Sequence, residues 1–341
     1  MKEARLYDKL EGGKVKCHLC AHRCTIAEGK RGICQVRENH QGVLYSLVYG
    51  LSISQAIDPV EKKPLFHFYP GSSAFSFATV GCNFHCAFCQ NWQISQAVRD
   101  GGIVDGHDAS PEHLAAAAHH YGCRSIAYTY TEPTIFFEYA YDTAVLASQR
   151  GIKNIYVTNG YMTEEMLDAF GRHLHAANVD LKSFSDEFYR KTCGARLQPV
   201  LDTLKAMKKR NIWLEITTLV VPGQNDSEGE LRDLAGFIAR EVGVDTPWHV
   251  SRFHPDYEMH NVSATPEETL RRAHEIGLEA GLRYVYEGNV FGSEGENTCC
   301  YSCHKRLIHR YGFEVVENLV AAGSKCPFCG AVIDGVGLAP A

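Results

Sequence analysis

The sequence predicts an α/β fold: a parallel sheet curled into a partial or full barrel, preceded by a cysteine-rich appendage at 1–72 and followed by a zinc-ribbon-like module at 291–341. Between about 73 and 290, short apolar runs alternate with helical patterns, which is the signature of repeated βα units. So many units in succession put helices outside a parallel sheet and bend it toward a barrel. The flanks are set apart by cysteine. Of fourteen cysteines, four fall at 17–34, three at 82–89 and five at 299–329, with only Cys123 and Cys193 isolated.

The elements follow in order. Residues 41–72 carry short alternating segments punctuated by Pro59, Pro64 and Pro70-Gly71, which predicts a small sheet belonging to the appendage. Residues 73–79 read as a buried strand of small and aromatic residues, left through a sharp turn at Gly81. Ser110-Pro111 caps a helix reaching Tyr121-Gly122, since serine at the cap and proline at the first helical position both satisfy a helix start. Strands at 125–130, 155–158, 178–182, 213–221, 248–253 and 283–286 then alternate with helices at 134–150, 163–170, up to 210, 227–241 and 265–280.

The centre of the chain is Cys82-Asn83-Phe84-His85-Cys86-Ala87-Phe88-Cys89, spaced C-x3-C-x2-C at the end of the first strand of this series. In α/β folds chemistry gathers at strand C-terminal ends. A structural zinc site or an ordinary four-iron cluster wants four thiolates, and three leave one corner open to a non-protein ligand. The N-terminal spacing, Cys17, Cys20, Cys24 and Cys34, supplies four thiolates that fit either zinc or a complete iron–sulfur cluster. Cys300-x2-Cys303 and Cys326-x2-Cys329 form two knuckles separated by 22 residues, the pattern of a structural zinc site. Cys299 lacks the x2 spacing to Cys303 and is read as a spectator. Asp180 and Lys182 place opposite charges on one side of a strand, where each must pair or bind something. Glu215 and Thr217 share a face of the fifth strand, and Arg252 and His254 a face of the sixth.

The loop spacing, with an aromatic before the last cysteine, resembles the signature of the radical S-adenosyl-L-methionine (SAM) enzymes. That resemblance implies an open (β/α)6 barrel and a [4Fe-4S] cluster whose free iron is chelated by SAM. It further implies that one electron cleaves SAM to a 5'-deoxyadenosyl radical, which abstracts hydrogen from a substrate. Thr129-Tyr130-Thr131-Glu132-Pro133 looks like the Gly-Gly-Glu-Pro element of the pyruvate formate-lyase activating enzymes, with Tyr130 and Thr131 in place of the glycines; it implies that Glu132 serves the SAM amine. Asp180-Leu181-Lys182 resembles their Asp-x-Lys element, with the lysine at the SAM carboxylate. Val157-Thr158-Asn159-Gly160 resembles their Asp-Thr-Asn-Gly, with Val157 where the aspartate stands, and His254 falls where a histidine near the SAM ribose is expected. Over nearly the full chain, Cys17-His18-Leu19-Cys20-Ala21-His22-Arg23-Cys24, Gly32-Ile33-Cys34, the 81–92 loop, Arg252-Phe253-His254-Pro255-Asp256-Tyr257, Gly288-Asn289-Val290 and Glu296-Asn297-Thr298 resemble the radical SAM component of the AmmeMemoRadiSam system. This implies association with Memo-like and AMMECR-domain proteins and a reductant such as flavodoxin or ferredoxin, and leaves the substrate, small molecule or protein, unidentified. Activation of a glycyl-radical enzyme is the alternative, and a non-catalytic iron–sulfur and zinc module ranks last.

Composition narrows the class further. A hydrophobic content of 45% with 22% charged residues is that of a globular protein, and a net charge of −6 argues against a general nucleic-acid binder. No run approaches eighteen apolar residues, and Met1-Lys2-Glu3-Ala4-Arg5 lacks an apolar signal core, so a cytoplasmic protein is expected.

Overall fold

A computed structural model describes residues 1–99, 102–290 and 292–340. Its centre is an eight-stranded sheet: β1 (Ser54–Pro59), β2 (Ser73–Ala78), β3 (Ser125–Tyr128), β4 (Lys153–Thr158), β5 (Ala176–Asp180), β6 (Trp213–Val220), β7 (Trp248–Arg252) and β8 (Val285–Gly288). The strands lie side by side in chain order, with β2 to β8 parallel and β1 antiparallel to β2 at one edge. This is the partial-barrel architecture of alternating strand and helix. The central parallel strands are almost wholly buried, as expected of a sheet covered on both faces.

The outer helices are α1 (Pro111–His120), α2 (Phe137–Gln149), α3 (Glu164–Phe170), α4 (Leu197–Lys209), α5 (Glu228–Phe237) and α6 (Glu267–Glu279). Several start where side-chain oxygens accept orphan backbone N–H groups: Ser110 from His113, Thr163 from Met166 and Ser227 from Glu230. Among the described residues, no helix is long and apolar enough to cross a membrane.

Two differences from the sequence-based expectation matter for the site. The 41–72 segment, expected to stay within the appendage, gives β1 to the main sheet through continuous pairing from Ser54–Ala78 to Pro59–Ser73. Local alternation shows a strand but not its distant partner. The strand expected at 178–182 ends at Asp180, so Lys182 lies beyond the sheet edge, free to fold back.

The N-terminal segment forms two small antiparallel sheets, and its buried residues Val15, Cys17, Leu19 and Val36 belong to the same apolar core as the barrel. The C-terminal segment forms a three-stranded antiparallel sheet (Thr298–Cys299, Arg306–Tyr311, Glu314–Asn318) whose own core includes Phe66, Tyr284 and Tyr286. Arg310, 2% exposed, donates to the Phe66 carbonyl at 2.8 Å and fastens this module to the 60–72 segment.

Candidate active site

β2 delivers the cysteine loop. Gly81 has φ +94°, and a Cβ there would sit 2.7 Å from Val36 Cγ1 and 3.0 Å from the Cys34 carbonyl, so only glycine fits this turn. Beyond it, Cys82, Cys86 and Cys89 line a cavity of about 420 Å³ at the C-terminal ends of the strands. The loop is pinned from several sides. His85 N and Ala87 N donate to the carbonyls of Cys193 and Thr192, Glu258 N donates to the Ala87 carbonyl, and Trp92 stacks on Tyr257 at 5.2 Å. Burial pushes the Cys82 and Cys89 thiols up, so metal uptake here must release protons.

The same cavity is lined by Glu132, Thr158, Asn159, Asp180 and Lys182, from β3, β4 and β5. The Glu132 carboxylate is already heavily used. Oε1 accepts from Thr134 N, Thr134 Oγ1 and Thr158 Oγ1, and Oε2 accepts from Asn159 N at 2.7 Å. Glu132 therefore caps the 133–136 turn and ties it to the end of β4. Asn159 Nδ2 donates to Asn83 Oδ1 at 2.8 Å, inside the cysteine loop. Lys182 Nζ sits 2.9 Å from Asp180 Oδ2 and over the Phe88 ring at 5.6 Å. Burial would lower its pKa, but Asp180, Cys86 and Cys193 hold the ammonium charged and raise it well above the usual lysine range.

Tyr130 occupies left-handed backbone, φ +63°. It replaces a glycine of the activase-like motif at a position that needs that conformation. Its hydroxyl donates to Asp58 Oδ2 at 2.5 Å, and Lys63 Nζ lies 2.7 Å from the same carboxylate oxygen. Against the pull of burial, Lys63, Tyr130 and Lys62, whose Nζ donates to Asp58 Oδ1 at 2.9 Å, hold the Asp58 carboxyl well below the usual range.

Two expected residues lie elsewhere. Glu215 is fully buried below the mouth and accepts from Phe66 N, His67 N and Trp213 Nε1, with His249 Nε2 2.7 Å away. Those four partners absorb its charge, so it does not reach the cavity. Thr217, two residues further along β6, lines it instead, with a buried hydroxyl that has no hydrogen-bond partner. His254 is exposed and lines a neighbouring cavity of about 960 Å³ that shares Gln90, Asn289 and Phe313 with the first. Arg252 donates to the Thr265 carbonyl and stays out of both.

Several lining residues were missed: Lys62, Lys63, Ser251, Asn289 and, from the C-terminal module, Phe313. The signals were the Lys62-Lys63 pair before Pro64 and Asn289 in the Gly288-Asn289-Val290 motif, where the resemblance assigns no role. Cys193, isolated in sequence, is fully buried beside Cys86, and the interaction between the two thiols lowers the Cys86 pKa and, with burial, raises that of Cys193.

The metal-type thiols fall into two geometries. Cys300, Cys303, Cys326 and Cys329 have ligand atoms all within 4.8 Å of one another. Cys299 stays outside that group and is exposed. Among the described residues, neither the N-terminal four nor the loop three draw together in this way.

A barrel mouth that gathers three wide-set thiols, an ion-paired lysine and an unpartnered hydroxyl fits a cluster together with a polar, charged ligand. Residues 77–235 match the Radical SAM superfamily. An uncharacterised protein of Methanocaldococcus jannaschii is 48% identical over 98% of this chain and 99% of its own length. The pyruvate formate-lyase-activating enzyme of Clostridium pasteurianum is 24% identical over 61% of this chain and 89% of its own. A solved radical SAM methyltransferase from Sphaerobacter thermophilus shares the fold with a TM-score of 0.50 at 14% identity, covering 67% of this chain and 71% of that one. The chain belongs to the radical SAM superfamily. It is a radical SAM enzyme, with the [4Fe-4S] cluster and SAM that membership implies, and it carries a four-cysteine metal site near its C-terminus.

Proposed function

We propose that this enzyme uses the cavity at the strand ends to abstract hydrogen from a substrate, small molecule or protein, in the manner of the AmmeMemoRadiSam radical SAM component. The observation that carries it is the convergence of Cys82, Cys86 and Cys89 with Asp180, Lys182 and Thr217 on one cavity. The three cysteines would hold the cluster, and that group would supply the electron for reductive cleavage of bound SAM. Lys182 receives the SAM carboxylate, and Asp180 keeps its ammonium aimed at the mouth. Glu132 acts through Thr158 and Asn159, fixing the β4 end against the cysteine loop. Thr217 on β6, Ser251 on β7 and Asn289 just past the end of β8 offer polar groups to the nucleoside. Phe313, from the C-terminal module, covers one side of the mouth. The C-terminal four thiols take a structural zinc ion, because their mutual spacing suits one tetrahedral ion.

The distant likeness to an activating enzyme favours a second reading, activation of a glycyl-radical enzyme. The two separate by experiment. Reduced enzyme is incubated with SAM alone and with Memo-like and AMMECR-domain proteins from the same organism. Several-fold faster 5'-deoxyadenosine release on adding them supports the first reading. A glycyl-radical doublet in the electron paramagnetic resonance (EPR) spectrum of an added partner supports the second, and no stimulation by either protein contradicts the proposed association.

A further inference from the structure

We propose that Cys17, Cys20, Cys24 and Cys34 hold a second four-iron cluster rather than zinc, packed against the cysteine loop as an electron relay. The spacing of these cysteines leaves the metal open, but the shape of the site does not. The four residues surround a narrow, partly enclosed cavity in which the centre of a water-sized sphere ranges over about 20 Å³, a void roughly 3 Å in radius once the sphere's own size is added. One zinc ion would draw its four sulfurs to about 3.8 Å apart. A cubane holds its thiolates roughly 6 Å apart and fills a void of about this size.

The chain contains its own references for both cases. In the C-terminal group, Cys300 and Cys329 sulfurs are 3.6 Å apart and Cys303 and Cys326 sulfurs 3.7 Å apart, the spacing of a single ion. The N-terminal four remain spread around their void, as the loop three do around their cavity.

The lining gives an independent sign of an anionic occupant. Arg37, 2% exposed, lines the void, and its Nε–H has no hydrogen-bond partner although both terminal nitrogens bind Glu138. Asn83, wholly buried in the same lining, has an unpartnered Nδ2. Sulfide and thiolate acceptors of a cluster satisfy both donors, whose isolation would otherwise leave their desolvation uncompensated.

The position assigns the role. Asn83 follows Cys82, His22 Nε2 donates to the Asn83 carbonyl at 2.8 Å, and the Cys34 carbonyl closes on Gly81. The two centres therefore share a wall. One electron enters the N-terminal cluster from a low-potential flavin or iron–sulfur protein and passes to the loop cluster, with no bond made or broken at the relay. This relay step rests on the proposed function, whereas the identity of the N-terminal metal does not.

The test is metal analysis and EPR of the anaerobically reconstituted full chain, wild type and the Cys82→Ala/Cys86→Ala/Cys89→Ala variant. The expected wild type carries about eight irons and one zinc per chain, and the variant about four irons with a reduced-cluster signal. Magnetic coupling should broaden the doubly reduced wild-type spectrum and vanish in the variant. About four irons in the wild type and none in the variant, whether a second zinc is present or not, overturns the proposal. Should the variant misfold, the wild-type count and coupling decide alone. About four irons in both proteins would instead contradict the proposed function and leave the N-terminal cluster standing.

Discussion

Tyr130 shows how a family pattern can survive a substitution that looks incompatible with it. The left-handed backbone that a glycine would adopt freely is kept here by a side chain anchored to Asp58. Removing the ring separates the two effects. Tyr130→Ala and Tyr130→Gly both lose the Asp58 contact, but only alanine keeps a Cβ in left-handed backbone. Urea unfolding should find the alanine variant less stable by about 1 kcal/mol, and equal stabilities would refute the strain. At Lys182 the expectation concerns the ligand. Lys182→Gln removes the charge that faces the SAM carboxylate and leaves Asp180 unpaired, and SAM binding by isothermal titration should weaken about tenfold or more. Unchanged affinity would remove Lys182 from the site. The cysteines and the Asp180–Lys182 pair were legible in sequence because each chemistry needs those residue types at a fixed local spacing. Glu215 misled because alternation along a strand tells face but not depth: it lies one pleat below Thr217, where backbone N–H groups neutralise it. Cys193 was unreadable as a neighbour of Cys86, since the 85–87 and 192–193 backbones meet only through tertiary pairing.

The junction of β3, β4 and the turn after Glu132 carries the next expectation. One carboxylate accepts from two hydroxyls and two backbone N–H groups there. Glu132→Gln puts an amide N–H₂ against at least one of those donors, and the β4 end loses its tether to the cysteine loop. The variant should lose about 2–3 kcal/mol in urea, with the bulk of its helical circular dichroism kept; a loss under 0.5 kcal/mol would show that the cap is redundant. The start of α1 was visible from Ser110-Pro111 because capping is local, whereas the Thr163 and Ser227 caps emerge from the structure. The entry of β1 into the main sheet was not, because its register is set by pairing with β2 rather than by its own composition.

The barrel, the 60–72 segment and the C-terminal module meet at His67, which links the stability of the parts to pH. Its Nδ1–H donates to the Asp334 carbonyl and its Nε2 accepts from Tyr286, so the folded protein holds it neutral. Burial depresses its pKa to about 4 from 6.5. The unfolded chain takes up the proton first, so this contribution is full above about pH 6.5 and is lost as pH falls toward 4. Between pH 7 and pH 5 the wild type should lose about 2 kcal/mol more than His67→Gln, as read from urea midpoints; parallel losses would contradict the assignment. Removing the C-terminal metal, by chelation or Cys300→Ala, should lower the melting temperature while the loop cluster still assembles, because the module's core is separate from the cysteine loop. The central claim is that three thiols in the barrel mouth hold a cluster open to SAM. Its most direct measurement is 5'-deoxyadenosine release by anaerobically reconstituted, reduced enzyme given SAM. Steady release by the wild type and none by Cys86→Ala is the predicted result. No release from wild-type protein whose loop cluster is intact and reduced would contradict it.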